Sequence, residues 1–407
     1  MTFGELRMLR RGKLRMPIRR IRTHVLPGID WILVGLTAAL CGAGALCIYA
    51  ATAAGLTAGG ASPYRYLERD LVNLAIGSLL CAGATVCNYR LLAALAPVLY
   101  AGTCVLLLAV LTPLGSRVNG AHAWFSLGSQ QFEPSELTKI VVILMVAGLL
   151  CQPPDGEVRP RTRDLVLCLA LVMLPLLLIL AEPALGVAII VAVLAFVLLG
   201  LAGAGTRFLF VLLVAVALGS GVIVQLHLLK PYQEQRFTAL AHPDQDTSGS
   251  GYHTVQSLTA IGDGGLFGQG FLQGSQTNGY FVPEQQTDFV FTVAAEEGGF
   301  VGAGALLLAL TAICLRGLRI AEKAPDMFGK LVAGGVAVWF AVQTFVNVGM
   351  TMGIMPVTGL PLPFVSYGGT AAFVDLIGVG LLLNVARQSR YGAPVPMQTG
   401  QTGTGHG

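Results

Sequence analysis

From residue 31 onward the sequence alternates between long apolar runs and short polar breaks. About 20 apolar residues suffice for a helix to cross the hydrocarbon core of a bilayer. By that criterion ten spans are predicted, near residues 31–53, 71–88, 91–112, 135–151, 165–181, 185–203, 207–228, 290–315, 328–349 and 370–386. Glu182-Pro183 and Gly203-Ala204-Gly205 crowd the two ends of the sixth, and the eighth opens on polar residues, so a bend is expected there. The fold class expected is all-α: a polytopic membrane protein with about ten transmembrane helices, a large outer loop and a re-entrant Pro/Gly-rich segment. Its parts are a basic arm over residues 1–24, a membrane domain over 25–390 that includes an extracytoplasmic loop at 229–287, and a disordered tail over 391–407.

Composition strengthens that picture. Hydrophobic residues make up 54% of the 407 and charged residues 11%, with mean hydropathy +0.72. A soluble domain carries roughly 25% charged residues, so this chain has too few charges to cover a water-soluble surface. Its 52 glycines show no Gly-X-Y period, which excludes collagen, and small residues at this density suit close helix packing in lipid.

The net charge of +4 is too small to argue for nucleic acid, but its distribution is informative. Arg7, Arg10, Arg11, Lys13, Arg15, Arg19, Arg20 and Arg22 crowd the N-terminal arm. A cleaved signal peptide is the alternative reading, but Leu36 to Tyr49 offers no convincing cleavage site. With ten spans and the N-terminus inside, only Arg65, Arg69, Arg117, Lys139, Lys230 and Arg236 of the 25 Lys and Arg fall outside. The positive-inside rule therefore puts both termini in the cytoplasm. All eight cysteines lie in or beside apolar runs, without a CxxC pair, and the six histidines lack HExxH spacing. Cysteine as a small hydrophobe is the reading that fits.

Two outer stretches stand apart. The segment 229–287 is long and polar, with Glu234, Asp244, Asp246, Asp263 and Glu284, yet it contains Leu266, Phe267, Phe271, Leu272, Tyr280 and Phe281 as apolar anchors, which argue for order. The segment Met355 to Gly369 has three prolines and three glycines between apolar flanks. Irregular backbone at membrane depth survives only where protein or a watery cavity receives its polar groups, so a re-entrant or cavity-lining loop is expected.

Charged residues near spans are candidates for function. Glu136 and Lys139 stand three apart on one helical face, either as a self-neutralising ion pair or as substrate contacts. Asp288, where the acidic loop re-enters the apolar sequence, is either a helix N-cap or a desolvated general base. Arg236 could clamp a phosphate or pair with a loop carboxylate. Gly262 to Gly270 is rich enough in glycine to resemble a phosphate loop, but matches no such pattern, and a tight turn against the membrane fits better.

Four blocks together resemble the SEDS family (shape, elongation, division and sporulation), whose RodA and FtsW members polymerise peptidoglycan. They are Asn119-Gly120-Ala121 through Pro134-Ser135-Glu136 with Lys139; Gly251-Tyr252 with Gln256-Ser257 and Ala260 through Gly274; Pro283-Glu284 through Glu297; and Asn347 through Gly369. Pro356-Val-Thr-Gly-Leu-Pro-Leu-Pro363 looks more like the RodA branch. The resemblance implies an inverting glycosyltransferase that joins lipid II molecules and releases undecaprenyl pyrophosphate, with a class B penicillin-binding protein as partner. It makes Asp288 catalytic and places Glu136, Lys139, Arg236, Gln256, Ser257 and Glu284 at the substrate. A divalent cation, Mg²⁺ or Mn²⁺, is the only cofactor expected, on Asp288 if anywhere. Departures from the family pattern are Glu133, Ala123, Ala184 and Gln286. The alternatives are a transporter of lipid-linked precursor and a non-catalytic scaffold for a transpeptidase.

Overall fold

The computed structural model describes residues 28–118, 121–127, 130–151, 160–182, 184–225, 236, 238–241 and 249–391. The basic arm, the tail beyond 391, and Glu234, Asp244 and Asp246 of the long loop lie outside these residues. In chain order the elements are α1 (Trp31–Ala58), α2 (Arg65–Val86), α3 (Tyr89–Val110), β1 (Ser116–Val118), β2 (Ala121–Leu127), β3 (Gln130–Phe132), α4 (Pro134–Leu150), α5 (Thr162–Ala181), α6 (Leu185–Leu201) and α7 (Thr206–Gln225). They continue with α8 (Ser250–Asp263), α9 (Ser275–Asn278), α10 (Val290–Glu322), α11 (Met327–Thr351) and α12 (Gly369–Tyr391).

A helix stands at each of the ten predicted positions. Seven of them (α1, α2, α3, α5, α10, α11 and α12) are long and apolar enough to cross a bilayer. The chain is a helical, polytopic membrane protein. One feature was not expected from the apolar pattern: the three short strands pair antiparallel in the order β1-β2-β3 and stand just before α4. Strands of three residues leave almost no period-2 signal to read.

The helices sort by exposure. α11 and α12 are mostly buried, while α1, α2, α3 and α5 keep most of their apolar surface on the outside, as lipid-facing helices do. α11 forms the centre and packs on α4, α6, α10 and α12, while α12 also lies along α2. Trp339 and Phe340 of α11 fill the middle of the core, with Phe364 edge-on to Phe340 at 5.0 Å between ring centres. The α1 and α10 helices are tied by Asp30, which accepts from Leu33 N at 3.2 Å as N-cap and from Arg316 Nε at 2.7 Å.

The expected bend in the eighth apolar run is a break. Inside α10, Gly299 has φ 65° and ψ −167°, so the helix changes direction there. A broken membrane helix exposes N–H and C=O groups that lipid cannot satisfy. The glycine-rich stretch after α8 satisfies them. Gln269 N and Gly270 N donate to the carbonyls of Glu296 and Glu297 at 2.9 and 3.1 Å, and Phe300 N and Val301 N donate back to Gly265 and Leu266 at 2.9 and 3.1 Å. The close approach needs bare glycines: a Cβ on Gly268 would lie 2.0 Å from the Glu297 oxygen. The run from 262 to 270 is thus the tight turn against the membrane helix, not a phosphate loop. The anchors of the long loop also engage α1, through Tyr280 Oη, which donates to Thr52 O at 3.0 Å and accepts from Gly55 N, and through Phe271, tilted against Tyr49 at 6.4 Å.

Two adjacent glycines test this stitch. Gly299→Ala forces an L side chain into the left-handed region and against Gly268 N, so a loss of ~2–5 kcal/mol is expected. Gly298→Ala meets open space and should be neutral or stabilising by up to ~1 kcal/mol. Thermal unfolding of the two variants in detergent measures the difference; equal melting temperatures would show that the break is not held this way.

Candidate active site

A cavity of about 490 Å³ lies among the start of α2, the small sheet, the start of α4, the α5–α6 junction, the segment before α10 and the segment 358–371. Five carboxylic side chains line it (Glu133, Glu136, Glu182, Glu284 and Asp288), together with two guanidinium groups, Arg69 and Arg236. A cavity of this size is typical of a small-ligand site.

The wall between α11 and α12 is the irregular segment read from sequence as cavity-lining, and it is so: Thr358, Gly359, Leu360, Pro361, Tyr367 and Gly368 all face the cavity. It is largely buried, with Leu360 and Leu362 at 1% exposure, so its backbone needs partners within the protein. Two amides one helical turn apart on α11 provide them. Gln343 Nε2 donates to Pro361 O at 2.8 Å, and Asn347 Nδ2 donates to Leu360 O at 2.7 Å and to Asp288 O at 2.8 Å. Within the segment Ser366 Oγ accepts from Leu362 N at 2.8 Å, and Tyr367 N reaches Gln286 O at 2.9 Å.

Asp288 is not a helix cap. α10 begins at Val290, its N-cap is Phe289, and no side chain caps it. Instead the Asp288 carboxylate faces the cavity beside Gly359, where a Cβ would come to 3.5 Å from Oδ2. Burial, followed by the charge of Glu284, pushes the Asp288 carboxyl up to about 7, and Arg236 opposes that rise. Arg236 also donates to Thr358 O at 3.5 Å, so it spans from the irregular segment toward Asp288. The pairing of Arg236 with Glu234 falls outside the described residues.

The Glu136–Lys139 pair divides. Glu136 lines the cavity, but Lys139 lies behind it, wholly buried. Its Nζ donates to Glu136 Oε2 at 2.8 Å and to Gln343 Oε1 at 2.9 Å, and stands 4.8 Å over the Trp339 ring. Gln343 Oε1 also accepts from Trp339 Nε1 at 2.6 Å. An ammonium so fully engaged holds the base of the wall and does not reach a ligand. Gln256 and Ser257 are likewise away from the cavity. Ser257 is fully buried and its hydroxyl donates to Thr351 O at 2.7 Å, fastening α8 to the end of α11. Glu284 is on the cavity, at φ 50°, with Asp288 N donating to its carbonyl at 3.0 Å.

Sequence reasoning missed two lining residues. Arg69 looks like an ordinary juxtamembrane charge, but α2 packs on α12 and carries it beside Tyr367, with Tyr66 edge-on to the same ring at 5.1 Å. Glu182 looks like part of a helix break before Pro183, yet it is fully buried on the cavity wall. No short motif marks Arg69; only the packing of α2 on α12 brings it to the cavity.

Known proteins share the sequence and the fold that carry this cavity. The FtsW/RodA/SpoVE family, described as cell cycle protein, matches residues 31–391. The peptidoglycan glycosyltransferase MrdB of Escherichia coli K12 is 38% identical over 319 residues, 78% of this chain and 85% of that one. Among solved structures, one described as the structural coordination of polymerization and crosslinking by a peptidoglycan synthase complex aligns with TM-score 0.75 at 34% identity, covering 89% of this chain and 99% of its own. The rod shape determining protein RodA of Thermus thermophilus aligns with TM-score 0.65 at 33% identity, covering 89% and 98%. This chain belongs to the FtsW/RodA/SpoVE family, on its RodA side, and is a membrane-embedded glycosyltransferase.

The buried pair makes a direct prediction. Lys139→Met leaves the Glu136 charge uncompensated and should cost ~3–5 kcal/mol, whereas Glu136→Gln combined with Lys139→Met should recover most of it. Melting temperatures of the single and double variants check this. A single variant as stable as the parent protein would mean that the ion pair is not a structural tie.

Proposed function

We propose that this chain is a peptidoglycan glycosyltransferase of the RodA type, which polymerises lipid II into glycan strands in the cavity, with Asp288 as general base. The observation that carries the reading is a half-buried carboxylate on the wall of a polar cavity, within electrostatic reach of Arg236 and held at its own backbone by Asn347. A sugar hydroxyl is a poor nucleophile, and a carboxylate whose pKa is lifted toward 7 is matched to taking its proton as the oxygen attacks. The new bond forms from that oxygen to the anomeric carbon of the donor sugar. The bond from the same carbon to the pyrophosphate breaks, the configuration inverts, and the proton ends on Asp288. Arg69 and Arg236 are the cations on the cavity wall placed to meet the charge that builds on the departing undecaprenyl pyrophosphate.

A divalent cation fits this donor set only in company. Among the described residues no three His, Cys, Asp or Glu side chains cluster tightly enough to hold one. Mg²⁺ commonly binds through one or two carboxylates with water and substrate phosphates completing its shell, and Asp288 with Glu284 would supply that pair. When bound, such an ion neutralises the pyrophosphate. The excess of Lys and Arg on the inner segments would put both termini on the cytoplasmic face and this cavity toward the outer one, with a class B penicillin-binding protein as the partner that crosslinks the product.

In a purified system with lipid II, Asp288→Asn should lower glycan polymer by at least ~10²-fold while leaving the folded yield unchanged. Because the base must be deprotonated, the rate should rise with pH to a plateau, with a midpoint near 7, and fall away below it. A cation competes with the proton for this carboxylate, so raising Mg²⁺ or Mn²⁺ should move the midpoint downward and a chelator should move it back. Equal polymer from both proteins would refute Asp288 as the base, and lipid movement without polymer would favour a transporter.

A further inference from the structure

Asp288 stands in a turn, one residue before the N-cap of α10, so no helical ladder holds it. Its amide and that of Phe289 both donate to the Glu284 carbonyl, at 3.0 and 3.4 Å, and Glu284 is itself at φ 50°. A turn with a non-glycine residue in the left-handed region keeps one geometry only where its surroundings fix it. From α11, Asn347 fixes the Asp288 carbonyl. On the other flank the next side chain, Phe289, is buried to 1% exposure with Ala260, Val282 and Val357. His253 of α8 stacks on its ring, with 5.7 Å between ring centres and 12° between planes.

This is the offset, near-parallel arrangement that aromatic rings prefer, and a flat face against a ring fixes its tilt as an aliphatic neighbour does not. The helix that carries His253 is itself held. Ser257, one turn further on, donates to Thr351 O at 2.7 Å, and the glycine-rich stretch after α8 is bonded to α10 on both sides of Gly299. The segment 250–270 thus grips the first stretch of α10 at both of its ends, through the ring stack beside Asp288 and through the stitch at the break. Among the described residues, the cavity lining includes neither His253 nor Phe289, so the imidazole acts from behind the wall.

We propose that His253 is a positioning residue for the general base: its ring, stacked on Phe289, holds the turn that aims Asp288 into the cavity. This rests on the glycosyl-transfer reading for the reaction it serves and adds a residue to that site. Any flat aromatic ring at position 253 would do the same, since neither imidazole nitrogen takes part. The precision matters because a displacement of ~1 Å between reacting groups can cost ~100-fold in rate.

Two measurements on the full chain in detergent test it. Amide hydrogen exchange of the peptide 284–292 reports whether the turn is held, without any turnover. His253→Phe keeps the stack and should exchange within about twofold of the parent protein, whereas His253→Leu should exchange at least ~10-fold faster. With lipid II as substrate, the phenylalanine variant should keep kcat within about threefold, and the leucine variant should lose ~10- to 100-fold in kcat with KM little changed. His253→Met takes the place of the leucine variant if that one fails to fold. Because His253 acts through Phe289, adding His253→Leu to Phe289→Leu should lower kcat by less than about twofold more. A phenylalanine variant as slow as the leucine one, unchanged exchange in the leucine variant, or losses that multiply in the double variant would overturn the assignment and leave the glycosyl-transfer reading standing. A parent protein that makes no polymer would remove that reading, and the positioning of a base with it.

Discussion

Everything at this site depends on how a membrane protein disposes of backbone that is not helical. In lipid an unsatisfied N–H or C=O costs several kcal/mol, so helices are broken only where other parts of the protein receive those groups. This chain breaks regular helix twice, and the second irregular stretch lines the cavity. At Gly299 the freed groups are taken by the glycine-rich stretch that follows α8, strand-like, bond for bond. Between α11 and α12 they are taken by Gln343 and Asn347, whose spacing of four puts them on one face of the central helix. Asn347 bonds the carbonyl of Asp288 as well, so the same amide that steadies the irregular wall also fixes the backbone of the proposed base.

Charge is handled differently at different depths. Lys139 and Glu136 neutralise each other behind the wall, with Gln343 and the Trp339 ring completing the ammonium shell. Toward the cavity, among the described residues, no such closed pair stands against Asp288. Its rise comes from burial and Glu284, and Arg236 moderates it without cancelling it. A base must be neither fully paired, which would hold it ionised and inert, nor fully desolvated, which would keep it protonated. The half-buried position before α10 lies between these limits.

How much of this the sequence disclosed follows from the range of the interactions involved. Apolar runs are local, so helices could be located from one stretch of chain at a time, and the bend in the eighth was visible in its polar opening. Asp288 and the Glu136–Lys139 pair were also legible, because charge in apolar sequence is rare. Their roles were not: whether Asp288 caps a helix depends on where α10 starts, and whether Lys139 reaches a ligand depends on α11, some 200 residues away. Ser257 shows the reverse error. It lies in a stretch that marks the family, yet its hydroxyl serves Thr351 on a neighbouring helix. Arg69 and Glu182 left no local mark, since α2–α12 packing and the α5–α6 junction bring them to the cavity.

Two acids that line the cavity, Asp288 and Glu182, have different characters from one cause, burial, applied in unequal company. Asp288 has Arg236 within electrostatic reach, which keeps its carboxylate form accessible near neutrality. For Glu182 burial comes with the charge of another acid, Glu133, and its carboxyl is pushed up to about 9. One group can take a proton and the other can only lend a hydrogen bond.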